Sequence, residues 1–322
     1  MKKRQINPIL YIVVIALALS ALVSCSKADA DAENETETET DTVVFIDALG
    51  REVSVGKNPK RVAALLGSFA EIWQLAGGSL CASAEDAWED FGLEMGDAIS
   101  IGGAHSPSLE VLLSSSPDFV LASASTASNV EFCDTLDSMG ITVAYFDIDN
   151  FEDYLAMLKI CTDITLRADL YEKNGLELKE RIEEIKKKYA EADISDGERR
   201  VLLLRASSGF VKAKGSEGTV LGEMLADIGC VNIADSDKTI LEDLSVESVI
   251  ASEPYHIFVV AMGDADKARA SLEKMMQENP AWSTLDAVKN GRLHVMDKRL
   301  FNLKPNARYA EAYEVLYETL TK

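Results

Sequence analysis

Six cations fall in loops of a chain that is otherwise strongly acidic. Lys212 and Lys214 precede Gly215, Gly218 and a helix start at Thr219, and Lys298, Arg299, Lys304 and Arg308 follow within one later stretch. The 322 residues carry 54 acids against 32 bases, a formal charge of −22. A local run of the opposite sign therefore reads as a surface that receives an anion, and helix-start amides reinforce it. Phe69, Trp88, Phe210, Phe301 and Tyr309 fall in or beside the same candidate loops, where aromatic faces can pack on a flat ligand. His105 stands in a Gly-rich loop just ahead of Ser106-Pro107. An imidazole there is placed to reach a metal centre carried by such a ligand. His256 and His294 lie in strand-like runs and read as structural.

The same composition excludes several classes. An excess of acid repels a phosphate backbone, so nucleic acid is not expected as a partner. Three histidines, none paired in spacing, cannot surround a bare metal ion. Cys81, Cys133, Cys161 and Cys230 show no close spacing and read as free, buried thiols. The chain contains no GxSxG elbow, Walker loop, HExxH or Cys/His pair at a favourable spacing, so neither an enzyme nor a cofactor is expected.

The elements that position these residues begin after an unusual front end. Lys2, Lys3 and Arg4 precede an apolar run from Ile9 to Val23, too short for a comfortable membrane span but suited to a signal peptide over residues 1–25. Leu22-Val23-Ser24-Cys25 resembles the bacterial lipobox, which implies a lipid-anchored Cys25 and an extracytoplasmic protein tied to the cell membrane. Residues 26–42 are acidic and threonine-rich with little to bury, and read as a disordered tether.

From Val43 onward short apolar strands alternate with amphipathic helices, the pattern of parallel sheets covered by helices. The expected fold is α/β, with two Rossmann-like lobes of central, mostly parallel sheet, over 43–165 and 193–322. Between them Leu166, Leu170, Asn174, Leu178, Ile182, Ile185 and Tyr189 recur every three or four residues, predicting one long interlobe helix over 166–192. Gly175 marks a point where that rod would bend. Other helices are expected over Asn129–Met139, Phe151–Cys161 and Pro305–Leu320.

The two halves also echo one another. Ser108-Leu109-Glu110 leads through a helix to Ser116-Pro117-Asp118 and a strand, and Ser245-Val246-Glu247 leads likewise to Glu253-Pro254-Tyr255 and a strand. In both cases seven positions separate the Glu from the Pro, and the lobes read as structural duplicates.

Several motifs in order carry a wider likeness. They include Asp47-Ala48-Leu49-Gly50-Arg51, Pro59-Lys60-Arg61-Val62, Ile101-Gly102-Gly103 running on to Ser106-Pro107-Ser108-Leu109-Glu110, Asn279-Pro280-Ala281-Trp282 and Val288-Lys289-Asn290-Gly291-Arg292. On these the chain resembles the ABC-transporter substrate-binding lipoproteins whose lobes are joined by a single long helix, the binders of ferric siderophores, haem and cobalamin. The likeness runs from Val43 to the end. It implies a monomer holding a ferric complex in the interlobe cleft, with cobalamin or another corrinoid as the alternative cargo. It also implies delivery to a permease dimer with its ATPase subunits. Family members carry one exposed Glu on each lobe that pairs with arginines of the permease, and Glu110 and Glu247 are the matching positions. Haem-binding relatives can place an axial ligand in the loop that matches His105.

Overall fold

The computed structural model describes residues 41–322. The expected signal peptide, the lipid-bearing Cys25 and nearly all of the tether lie outside the described residues. The described chain opens with an antiparallel hairpin, Thr42–Ile46 against Glu52–Gly56. Its turn is organised by buried Asp47, which accepts from the Leu49 and Arg51 amides at 3.0 Å each, with Gly50 at φ 76°.

Two five-stranded sheets follow, with a small antiparallel pair, Gly102–Gly103 against Ser106–Pro107, beside the first. In the first, five parallel strands run in the order Ile99–Ser100, Ala82–Ser83, Val62–Ala64, Phe119–Ser123, Thr142–Phe146. In the second, Arg200–Ala206, His256–Ala261 and Leu293–Met296 are parallel neighbours. Val211–Lys214 lies antiparallel against the far half of Arg200–Ala206, and Val231–Asn232 parallel against its first two residues. The central strands Phe119–Ser123 and His256–Ala261 are buried along their whole length, as parallel sheets covered by helices require. This is the two-lobed α/β architecture expected from the sequence.

The rod between the sheets begins later than its leucine spacing suggested. Leu166 is not its first residue: it sits at φ 59° as the left-handed end of the preceding helix, Phe151–Thr165, and is exposed. The rod itself runs from Ala168 to Ala190 without a break, as two α-helical stretches around one π-helical turn, Glu172–Leu176. Gly175 is the reason the turn is tolerated: a Cβ there would meet Leu155 Cδ2 at 3.0 Å. The Tyr154 hydroxyl donates to the Asn174 carbonyl at 2.7 Å, and the Asn174 amide donates to the Leu75 carbonyl at 2.9 Å. These bonds tie the turn to the first lobe.

Beyond the turn, Leu178, Ile182, Ile185 and Tyr189 are buried and belong to one continuous core. That core also takes the inner faces of both sheets, with Phe119 and Leu121 on one side and Leu203 and Phe258 on the other. The outer face of each sheet has its own smaller core. Two other expected helices are shorter than their patterns. Asn129–Met139 resolves into Ala127–Val130 and Cys133–Ser138, and Pro305–Leu320 becomes a 3-10 turn, Asn306–Arg308, before Tyr309–Leu320.

The internal echo extends to its caps. Helix Leu109–Ser114 starts at Ser108, whose hydroxyl accepts from the Val111 amide, and Val246–Ser252 starts at Ser245, whose hydroxyl accepts from the Ser248 amide. Each helix ends before a residue of positive φ, Ser116 at 49° and Glu253 at 47°, followed by proline. Arg61 Nε donates to the Ser115 carbonyl at 2.9 Å, and Arg200 Nε to the Ser252 carbonyl at 2.9 Å. An arginine at the equivalent position thus staples helix end to strand start in each lobe.

Candidate functional site

Loops at the carboxyl ends of strands are where open α/β sheets bind ligands. A cavity of about 480 Å³ lies at those ends in the first lobe. Phe69, Glu85, Glu89, His105 and Asp147 line it from that lobe, and Asn302, Leu303 and Lys304 reach it from the second. It therefore sits between the lobes. A cavity of similar size, about 490 Å³, lies at the amino ends of the second sheet around Arg200, Tyr255 and Arg292. There Arg200 is spent on the Ser252 carbonyl and Arg292 on the Tyr255 carbonyl at 2.9 Å, so these two cations are already committed. The interlobe cavity is the better candidate.

The cations expected to receive an anion separate into two groups. Those of the later loop are engaged with the protein itself, mostly across the cleft. Lys298 pairs with Asp90 at 2.6 Å. Arg299 Nη2 reaches both Glu71 oxygens at 2.6 Å, while Nη1 donates to the Lys304 carbonyl at 2.7 Å. The Lys304 ammonium donates to the Ile148 carbonyl and stands 3.7 Å from Asp149. Burial lowers the Lys304 pKa, and Asp149, Asp147 and Asp153 pull it part of the way back. Arg308 is held at 2.7 Å by Glu311, in the first turn of the helix that follows it. In this conformation the loop works as a strap on the first lobe.

Lys212 and Lys214 behave differently. They share one face of the second sheet with Arg205, since Arg205 is the register partner of Lys212 and Leu203 that of Lys214. No carboxylate among the described residues pairs with any of the three, and the Arg205 Nε is buried without a hydrogen-bond partner. Burial holds the Lys214 ammonium below its ordinary pKa, and the positive charges of Arg205 and Lys212 push the same way. Burial also lowers Arg205. Three cations kept together without a counter-ion form an anion-receptive cluster at the carboxyl end of the strand Arg200–Ala206. Sequence reasoning passed over Arg205. Its signal was an arginine near the end of an otherwise apolar central strand, a position where charge is expensive.

The aromatic candidates do not gather in one place. Phe69 is buried and borders the cavity, and Trp88 is half-buried against the core that the two sheets share. Phe210 is exposed on the second lobe, with Lys212 Nζ 5.5 Å above its ring. Phe301 and Tyr309 are corrections: both are 1% exposed within the shared core. Phe301 turns inward from its short helix, and Tyr309 stacks edge-on against Phe151 at 5.2 Å.

His105 is exposed in the cavity wall. Among the described residues no three His, Cys, Asp or Glu side chains converge as a metal-binding group. His256 and His294 pair in the second sheet, Nδ1 to Nε2 at 3.0 Å, and burial pushes His256 down to about 4. Glu110 and Glu247 are both exposed, each the second residue of a serine-capped helix. Cys81, Cys133, Cys161 and Cys230 are all free thiols.

A family model described as periplasmic binding protein matches residues 62–300. The chain belongs to that family, and is a binding protein for transport rather than an enzyme. It is similar to a putative ABC transporter substrate-binding lipoprotein, YhfQ, of Bacillus subtilis (strain 168), 24% identical over 66% of this chain and 66% of the relative. It is likewise similar to the Fe(3+)-citrate-binding protein YfmC of the same organism, 24% identical over 77% of this chain and 76% of that one. Among solved structures, Staphylococcus aureus SirA complexed with staphyloferrin B superposes with a TM-score of 0.68 at 21% identity, covering 87% of this chain and 98% of that one. That likeness concerns the fold.

Proposed function

We propose that this chain is the lipid-anchored, extracytoplasmic receptor of an ABC importer, and that it carries an anionic ferric complex between its lobes to the permease. The observation that supports the cargo most directly is the cluster Arg205, Lys212 and Lys214, three cations with no counter-ion among the described residues. Carboxylate and catecholate chelates of iron are anions, and a cluster without its own carboxylates matches them. The relative that binds ferric citrate and the neighbour crystallised with staphyloferrin B point the same way.

Glu110 and Glu247 dock the receptor. Two exposed carboxylates on equivalent helix starts, one per lobe, present a two-point charge pattern to a permease dimer and fix the register of docking. The receptor acts as a monomer.

Tryptophan fluorescence quenching against ferric citrate, haem and cobalamin tests the cargo. Arg205→Met with Lys212→Gln should weaken the ferric carboxylate about tenfold or more, the scale of one lost charge-assisted contact. Cobalamin binding that the double variant leaves untouched, with no ferric chelate bound, would overturn the reading. Glu110→Ala with Glu247→Ala should abolish uptake in cells while ligand affinity stays unchanged.

A further inference from the structure

We propose that a third cavity, beside the rod and apart from the cargo cleft, binds a small organic cation, a primary ammonium on an apolar stem. It would be held between Asp153 of the first lobe, Glu223 of the second and the Tyr309 hydroxyl. This goes beyond the ferric-cargo reading and does not depend on it.

The cavity has a volume of about 330 Å³ and is walled by both lobes, the rod and the last helix. It shares no lining residue with the cavity of the cleft. Tyr309 is the residue that points to an occupant. It is 1% exposed and lines this cavity, and its buried hydroxyl has no hydrogen-bond partner. Ring contacts with Phe151 at 5.2 Å and Tyr154 at 5.7 Å fix the side chain, so the hydroxyl cannot turn away to find one. A buried phenol in that state costs free energy until a ligand or water completes it. Burial pushes the Tyr309 pKa up, and the charges of Asp153, Asp149 and Glu223 push the same way. Two of those three acids line the cavity, one from each lobe.

The other acids of the cavity are engaged. Glu152 pairs with Lys179 at 2.9 Å, and Glu183 and Asp227 share Lys186 at 3.0 and 2.8 Å. Asp227 also accepts from the Tyr313 hydroxyl at 2.6 Å. Asp153 and Glu223 are engaged through one oxygen each. Asp153 Oδ2 accepts from the Asp149 and Asn150 amides at 3.0 and 3.2 Å, and Glu223 Oε1 from the Gly218 amide at 3.1 Å. Asp153 Oδ1 and Glu223 Oε2 have no partner among the described residues.

The cavity thus offers three acceptors, the phenol oxygen and one oxygen of each carboxylate, and two negative charges. A primary ammonium carries three donors and one positive charge. Buried Phe151, Ile182, Val220 and Met224 line the same space and suit an apolar stem. A lone water would fill only about 30 Å³ of it. A bare metal ion is not the match, because among the described residues no three ligating side chains gather. With one carboxylate from each lobe, the occupant ties the lobes together at a point outside the cargo cavity.

Calorimetric titration of the protein with hexylamine, against hexan-1-ol as the neutral analogue, tests this. The amine should bind with a saturable one-to-one isotherm and raise the Tm, and the alcohol should do neither. Tyr309→Phe should weaken the amine about fivefold without lowering the Tm of the ligand-free protein, since the hydroxyl it removes has no partner there. Glu223→Gln should weaken the amine about tenfold. If Tyr309→Phe binds the amine as tightly as the unaltered protein, the general acidity of the chain holds it and the site is overturned. A clearly lower Tm for ligand-free Tyr309→Phe overturns it too, because the hydroxyl is then satisfied within the fold. Absence of saturable amine binding overturns it outright. The ferric-cargo reading stands or falls on none of these outcomes.

Discussion

Replacing Arg299 with methionine should show how firmly the strap holds the two lobes together. The pair it breaks is well shielded, with side-chain exposures of 15% for Arg299 and 17% for Glu71. Its guanidinium makes two contacts to Glu71 at 2.6 Å and one to the Lys304 carbonyl, and lies 4.3 Å from the Phe91 ring centre. Breaking a buried pair by removing one partner costs about 3–5 kcal/mol, mostly from the charge left behind. Here Glu71 keeps the Asn306 amide at 2.6 Å, and methionine retains part of the packing on Phe91. The loss should therefore fall near the bottom of that range, about 3 kcal/mol, or a Tm lower by about 6 °C at about 2 °C per kcal/mol for a chain of this size.

The deficit should depend on pH. Burial raises the Glu71 carboxyl while Arg299 and Asn306 pull it down, and the net shift is upward. A carboxyl raised in the folded state contributes its stability below the unfolded pKa and loses it as pH rises through the folded one. Without Arg299 the carboxyl rises further, so the variant's deficit should be smallest in acid, below the ordinary carboxylate range, and should grow as pH rises above it. Thermal melts followed by circular dichroism across that pH range provide the measurement. Glu71→Gln combined with Arg299→Met should lose less than Arg299→Met alone, because no orphaned charge remains. An unchanged Tm in the single variant, or a double variant worse than the sum of its parts, would refute the buried-pair reasoning.

Two further outcomes follow from single residues. His256, pushed down to about 4, must take up a proton on unfolding in acid. Its contribution is present above about pH 6.5 and is lost as pH falls toward 4, up to about 3 kcal/mol. His256→Phe should flatten that part of the stability–pH curve, and a curve of unchanged slope would count against the buried pair. A Cβ at Gly222 would come within 2.4 Å of the Ser216 carbonyl oxygen, so Gly222→Ala should destabilise by about 1–3 kcal/mol despite alanine's better helix propensity. A stabilised variant would show that this turn yields easily.

What could be read in advance follows a physical line. The paired helices after Ser108 and Ser245 could be read because each is bounded by its own serine cap and by a positive-φ residue ahead of a proline. The strands Ala82–Ser83 and Val231–Asn232 were not anticipated, since two residues carry no period and exist only through pairing with neighbours distant in sequence. Leu166 fits the helical spacing of the rod yet belongs to the previous helix, because spacing records which residues are apolar and not which adopt positive φ. The cationic loops were legible as charge, but which cations remain uncommitted depends on Glu71, Asp90 and Asp149, acids far away in the chain.

The π-helical turn in the rod has a mechanical consequence. An extra residue in one turn advances the helix's angular phase by about 100° relative to an uninterrupted α-helix. Leu155 and Leu158 grip the rod at that turn, while Leu178 through Tyr189 present the side that the second sheet covers. Excising one residue between Glu172 and Leu176 would let the helix regularise and swing one sheet about the axis relative to the other. The five residues of that turn act as the gear tooth that sets how the paired halves face.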